Sequence, residues 1–435
     1  MNKNRILVSS LLPAPGLEFS LKRVSNMQKI QFTKIKRLAV ICVAICLALL
    51  VNACATFKKP ATVNEAPIQD RAQTKEADGI RVSTALVGDE EARQIFGIDL
   101  SKKDIQALWL AIENNSDRPL LLLPTAIDPE YYAPLEVAFA YHGAFASDAN
   151  RMLDDHLLKL NFPVRSTILP GTRASGYVFT SRSEQVKALD VDLVGNDFSR
   201  NFTFFAPNPN STRGQAILKN LETPYSATEL QNVESEADLL KVLEQLPCCV
   251  SQENGGPTAE PLNVVIIGTV DDWTTAFIRR GYHYHPLSPR FAFGRSQDIS
   301  GKKLRRGYTK TQTHTIRIWQ TPIRYRGKPV WIAQTANRLG GRFAEKADSE
   351  VTLPLDPYVD EARNDLTQDL AYSQALIKIG YVKGTEGPQP ITTTSSAGDV
   401  DYTTDGLRAV LVFGDRPASL STIDFFDWER LADHR

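Results

Sequence analysis

The sequence predicts an α+β protein: an immunoglobulin-like β-sandwich followed by an α+β domain with helices on a mainly antiparallel sheet. Three observations predict it. Between residues 80 and 206, short apolar runs recur with turn residues between them. Turn-forming clusters break the chain at 207–214 and 253–261. Beyond 261, strand-like and helix-like patterns alternate.

In the first region, strands are expected at 80–87, 107–113, 120–124, 135–142, 162–168, 176–180, 189–194 and 202–206. Asn114-Asn115-Ser116-Asp117 and Leu169-Pro170-Gly171-Thr172 read as hairpin turns. Residues 149–160 read as an inserted helix. Many short strands at this spacing suggest the sandwich. The stretch 207–260 reads as a linker with a helix.

In the second region, 262–268 is a buried-type strand, 271–280 a helix and 281–284 a return strand. Near the end the order recurs as strand 350–355, helix 357–379 and return 380–382, a weak pseudo-repeat. Both helices are followed by Gly-Tyr, a glycine where a helix C-cap favours one. A hairpin, 313–321 with 329–336, turns at Arg326-Gly327-Lys328, and 407–413 adds a strand. The domain is expected over 261–415, with a tail over 416–435.

The start of the chain is an address. Basic Lys29, Lys34, Lys36 and Arg37 precede an uncharged apolar stretch, 38–51, that closes on Leu50-Val51-Asn52-Ala53-Cys54. This is the layout of a secretory signal, and its close looks like a bacterial lipobox, in which the cysteine is acylated. The apolar stretch is shorter than the about 17–25 residues that span a ~30 Å hydrocarbon core. Residues 1–53 therefore read as a signal peptide, with Met27 an alternative start, and 54–79 as a polar tether beyond a lipidated Cys54. Ala55 stands where aspartate is the usual inner-membrane retention signal. By resemblance to that rule, the lipoprotein belongs to the outer membrane, facing the periplasm. Several buried acyl carbons at ~0.8 kcal/mol per methylene make such an anchor stable. Cleavage before Cys54 leaves Cys248 and Cys249 as the other cysteines, too few for a disulfide scaffold. They are expected as two thiols, a vicinal disulfide being the alternative.

Charge is balanced overall, with 50 basic and 50 acidic residues, but not locally. From Arg279 to Arg342 there are 15 lysines and arginines and one acid, Asp298. Clustered like charges build a field that attracts an anionic lipid, lipopolysaccharide or another polyanion. The competing reading is internal pairing with Glu350, Asp356, Asp360, Glu361, Asp365 and Asp369. Candidate anion-binding residues are Arg295, Asp298, Arg305, Arg306, His314 and Arg317. Arginine offers a planar fork for phosphate or carboxylate, although Arg295 and Asp298 could equally hold a loop together. His314, Arg317 and Trp319 are expected on one strand face, forming a small-molecule contact or a ladder with Trp331. His283 and His285 share a strand face and His314 could join them, yet nothing supplies a full ligand set, so no metal is assigned. The acids at 356–365 are read as stabilising a helix start through its dipole, with Asp360 and Arg363 paired at i, i+3.

Several stretches together resemble the family named for the C-terminal region of LssY. They are Leu246-Pro-Cys-Cys249, Pro261-Leu-Asn-Val-Val-Ile-Ile-Gly268, Phe293-Gly-Arg-Ser-Gln-Asp298, His314-Thr-Ile-Arg-Ile-Trp319, Pro329-Val-Trp331 and Asp356-Pro-Tyr-Val-Asp-Glu-Ala-Arg363. The resemblance covers roughly 235–415, and Trp109-Leu-Ala-Ile-Glu-Asn-Asn115 resembles what precedes the domain in secreted members. It implies no established activity; fusions of some members to membrane phosphatase-like modules hint at a setting near lipid phosphates. Where the pattern would place histidine before the acidic segment, this chain has Leu353-Pro354-Leu355, which weakens a metal or acid–base role there.

No nucleophile elbow, phosphate loop or H-E-x-x-H is present. No catalytic residue or cofactor is assigned, and an acylated envelope protein does not suit nucleic acid. The expectation is a binding or scaffolding module at the periplasmic membrane face. The alternatives are a hydrolase or lipid-processing enzyme with Arg295, Asp298, His314 and Arg317 around a phosphate, and a protein-docking part of an export complex.

Overall fold

The computed structural model describes residues 57–61, 64–183, 185–211, 223–251, 260–304, 313–337, 356–384, 391–395, 398–414 and 418–429. The signal region, Cys54, Arg305, Arg306 and the strand expected at 350–355 lie outside the described residues.

The first part has two antiparallel sheets. β1 (Gln73–Ala77), β2 (Ile80–Leu86), β3 (Ile105–Asn114) and β5 (Thr172–Ser181) form one, in the order β1-β2-β3-β5. β4 (Leu121–Leu123), β6 (Val186–Gly195) and β7 (Phe198–Pro207) form the other, in the order β4-β6-β7. Alternation explains the layering. Ile80, Val82, Leu108, Leu110, Ile112 and Val178 meet Leu189, Val191, Leu193, Phe202 and Phe204 in one shared core. The opposite face of β3 and β5 is apolar too, with Ala107, Trp109, Tyr177 and Phe179. It is covered by α1 (Asp89–Phe96), α2 (Pro134–Phe139) and α3 (Ser147–Leu160). An immunoglobulin-like sandwich is not established by this arrangement, because helices seal an outer face.

Two expected strands are corrected. Residues 135–142 begin as α2, where Pro134 opens the helix and Glu136 accepts from the Ala133 N–H at 3.4 Å; a short apolar run fits strand or helix equally. Residues 162–168 make a turn flanked by single bridges, Asn161 to Tyr177 and Leu120 to Ile168, and Pro163 has no N–H for a ladder. The stretch expected as a tether already packs: Phe57 and Ile68 are buried.

The second part is a nine-stranded sheet. Its strands are β8 (Gln231–Val233), β9 (Val264–Ile267), β10 (Tyr282–Tyr284), β11 (Ile299–Leu304), β12 (Thr313–Tyr325), β13 (Lys328–Asn337), β14 (Leu376–Lys383), β15 (Leu407–Phe413) and β16 (Asp424–Phe425). The order is β10-β11-β12-β13-β9-β15-β14-β16, with β8 beside β12. Five pairings are antiparallel; β9–β15, β14–β16 and β8–β12 are parallel. The fold class is therefore α+β, with a mainly antiparallel sheet as expected.

β9 is apolar on both faces, so both need cover. Val264 and Ile266 lie under α5 (Val270–Arg279) and α6 (Val359–Ala371), which supply Trp273, Ala276, Phe277, Leu366 and Leu370. Val265 and Ile267 face Leu239 and Leu243 of α4 (Glu236–Glu244). Helices thus cover both faces, and β8 and α4 come from the stretch read as linker. Thr269 and Asp272 close a capping box that starts α5. Gly281 follows α5 at φ +79, as a C-cap glycine should.

The second helix differs from expectation. α6 ends at Ala371, Gln374 turns the chain at φ +66, and β14 has begun by Leu376. Gly380 lies inside that strand, where a Cβ would stand 2.7 Å from the Cβ of Phe426. Phe426 stacks on Trp428 at 4.0 Å and carries β16 against β14. Cys248 and Cys249 are joined in a disulfide, correcting the expected thiols. Both line one small cavity with Pro261, Asn263 and Arg408.

Gly380→Ala should cost about 1–3 kcal/mol in denaturant unfolding, the usual range for overpacking. In a Phe426→Ala background the same change should cost less, since the ring it strikes is gone.

Candidate functional site

A large concavity among the described residues lies where β6 and β7 meet α5. Along β6, Leu189, Val191 and Leu193 enter the core, so Asp190 and Asp192 point outward. Across the ladder Asp190 faces Thr203 and Asp192 faces Asn201. α5 answers with Asp271, Thr275 and Arg279, an i, i+4, i+8 stripe opposite its apolar face. Arg279 Nη2 donates to both Asp192 oxygens at 2.9 and 2.8 Å. Thr275 Oγ1 lies 2.8 Å from Thr203 Oγ1 and accepts from Asn201 Nδ2 at 3.1 Å. Lys75 Nζ of β1 reaches Asp271 at 2.5 Å.

Asp190 is fully buried at the centre. Burial first, and the Asp192 charge second, push its carboxyl up to about 8, against the pull of Arg279. Its surroundings therefore favour the protonated carboxyl, and Thr203 Oγ1 donates to its Oδ1 at 3.1 Å.

Above this cluster opens a cleft of about 1110 Å³. Its charged lining is Lys75, Arg200 and Arg279 against Glu76, Asp192, Asp197, Asp271 and Asp272, with Phe198 and Phe202 among its apolar walls. Lys75 and Arg279 are engaged by the acids named above, and Arg200 pairs with Asp78. Such a wall offers donors and acceptors of both signs to a polar ligand.

The residues singled out from sequence do not meet there. Arg295 pairs with Asp298, donates to the Gln320 carbonyl at 2.5 Å and lies over the Tyr225 ring. Asp298 accepts from the Gln320 N–H at 2.7 Å, so the two clip a loop to β12 next to its bulge. Arg317 is fully buried, donates to Gln334 Oε1 at 2.9 Å and lies 4.0 Å from Glu260. His314 is on the other face of β12, 2.6 Å from Thr335 Oγ1 and edge-on to Tyr282. Packing around it lowers its pKa to about 4, so it is neutral. The expected common face of His314, Arg317 and Trp319 is thus corrected: a step of three residues reverses the face of a strand. Trp319 and Trp331 likewise fall in opposite cores. His283 and His285 share a face, but His314 lies on that of Tyr282. His283 looks toward Asp128 and Lys187, and His285 lies 3.3 Å from Lys302 Nζ. Among the described residues no cluster of three or more His, Cys, Asp or Glu side chains could hold a metal.

Among the described residues, the basic segment is largely paired inside the protein. Arg280 and Lys303 share Asp369, Lys328 reaches Asp272 at 3.2 Å, and Arg326 donates to the Glu234 carbonyl at 3.1 Å. At the start of α6, Asp360 and Arg363 pair at 3.3 Å as expected, and Arg363 also forks onto Asp405 at 2.7 and 2.9 Å.

Sequence reasoning missed one buried pair. Lys187 of β6 is bonded to Asp128 and donates to the Ser181 carbonyl at 2.8 Å, while Ser181 Oγ donates to Asp128 at 2.9 Å. Lys187 and Asp128 are each 2% exposed. The signal was a lysine inside an apolar strand.

Against known proteins, residues 273–407 match the model of the family described as LssY C-terminus. This bears out the resemblance over α5 to the start of β15. No curated protein matches the chain. No helix among the described residues is long and apolar enough to cross a membrane.

Two outcomes follow from the buried charges. Lys187→Met should cost about 3–5 kcal/mol, because it leaves the buried Asp128 charge without its countercharge; a second change, Asp128→Leu, should restore part of the loss in urea unfolding. For Asp190, the folded pKa lies above the ordinary ~3.9 of an unfolded aspartate. Its stability contribution is complete below that value and is lost as pH rises through about 8. Thermal midpoints should fall from pH 7 to 9 in the native chain and fall less in Asp190→Asn.

Proposed function

We propose that this chain is a bacterial envelope lipoprotein, anchored through an acylated Cys54 to the outer membrane and facing the periplasm. It works as a binding module for a polar envelope component, the headgroup of a phospholipid or lipopolysaccharide being the class that fits. The observation that carries this reading is the cleft between β6–β7 and α5, large enough for such a group and lined by charges of both signs. Lys75, Arg200 and Arg279 are donors for a phosphate. Asp197, Asp271 and Asp272 are acceptors for an amine. Phe198 and Phe202 offer an apolar surface to the adjoining glycerol or acyl carbons. With five acids to three bases on the wall, a headgroup carrying both phosphate and amine suits it better than a bare polyanion. The hydrolase alternative loses support because Arg295 and Asp298 are paired with each other in holding a loop, and His314 and Arg317 lie on opposite faces of β12.

Two measurements test the reading. Cys54→Ser should move the chain from the membrane fraction to the soluble fraction of the envelope, and mass spectrometry of the native N-terminal peptide should show the acyl groups. In detergent, native mass spectrometry with short-chain phosphatidylethanolamine and phosphatidylglycerol should show adducts, the former favoured. Lys75→Gln and Arg200→Gln should each weaken binding about 10-fold, equivalent to ~1.4 kcal/mol. Equal binding in both variants removes the cleft from the reading.

A further inference from the structure

The apolar run of β15 contains an arginine whose head is buried with no described carboxylate beside it. Arg408 is 2% exposed. Its Nε donates to the Leu262 carbonyl at 2.8 Å and its Nη1 to that of Leu243 at 3.0 Å. Its Nη2 donates to the carbonyls of Leu246 at 3.2 Å and Pro247 at 2.5 Å. These oxygens belong to the end of α4 and to the two segments that bracket the disulfide, and they leave the positive charge uncancelled. Burial lowers the guanidinium only to about 10, so it stays charged. Arg408, Cys248 and Cys249 line one cavity of about 30 Å³, the size of a water. Cys249 is buried and Cys248 half-buried, so Cys248 is the more accessible of the two.

We propose that Cys248, Cys249 and Arg408 form a thiol–disulfide exchange site whose substrate is a dithiol. One thiolate of the dithiol attacks Cys248 Sγ, and the Cys248–Cys249 bond breaks. Its electron pair leaves on Cys249 Sγ, at the cavity that Arg408 also lines. The second donor thiol, deprotonated, attacks the donor sulfur of the mixed disulfide and releases Cys248. The donor ends as a disulfide, and its two protons pass through solvent to the two cysteines. A thiolate beside a fixed positive charge is a better leaving group and forms at lower pH. Arg408 is the positioning and charge-stabilising residue; the sulfurs do the chemistry. The site is independent of the cleft and of what binds there.

The test uses the full chain, purified without reductant and probed with dithiothreitol, then with iodoacetamide, with peptide mass spectrometry to resolve each cysteine. Cys248 and Cys249 should be protected before reduction, become alkylated after it, and re-form the bond when dithiothreitol is removed. In the reduced chain, the alkylation rate of Cys249 should titrate below the ordinary thiol pKa of about 8.5. Arg408→Gln, shown folded by circular dichroism, should slow alkylation at pH 7 about 10-fold. Labelling of both cysteines without reductant, or resistance of the bond to dithiothreitol in the native state, overturns the proposal. So does a native midpoint at or above 8.5, which is measurable even where Arg408→Gln does not fold.

Discussion

Helix α5 has to satisfy two layers at once, and the arrangement of the rest follows from that. Its apolar side, Trp273, Ala276 and Phe277, seals the central strand of the large sheet. Its polar side, Asp271, Thr275 and Arg279, lies against β1, β6 and β7 and meets Lys75, Thr203 and Asp192 in turn. A ten-residue helix that spends both faces has little freedom to slide. Any shift that preserved one set of contacts would break the other. The cleft therefore has fixed walls, since one belongs to α5 and the other to the strands it is tied to.

The second theme is how cations are taken out of water. Moving a charge into the interior costs several kcal/mol unless its donors are met. Lys187 and Arg363 meet it with carboxylates, Arg317 with an amide oxygen and a carboxylate at 4.0 Å, and Arg408 with carbonyls. The first pairs fix strand and helix positions. Arg408 differs in kind, because dipoles satisfy its hydrogen bonds but not its charge. Cys248 and Cys249 line the same small cavity.

What could be read from sequence tracks the strength of the periodic signal. β9 and β15, apolar on both faces, were legible as strands and sit centrally in the sheet. α5 was legible from Gly281 just past its end, whereas its capping box, Thr269 and Asp272, was not used. The end of α6 was not, because Gly380 resembles a helix terminator and only the distant Phe426 explains why glycine is needed mid-strand. Helix α2 was misread because six apolar-rich residues have no decisive period. The basic segment was visible as a composition, but its partners, Asp192, Asp272 and Asp369, are brought to it by tertiary structure. The cleft itself was invisible for the same reason, although the four-residue spacing of Asp271, Thr275 and Arg279 was there to be noticed.

Phe57 packs between Phe145 and His156, with ring centroids 5.9 and 6.0 Å away, and a Cβ on Gly97 would strike its ring. The folded body thus begins three residues after Cys54. Three extended residues reach only ~10 Å. With the lipid on Cys54 as proposed, the protein is moored on a short leash, not on a long flexible rope. It cannot sweep the space toward a distant partner. The end of the body that holds Phe57 then stays within ~10 Å of the anchor.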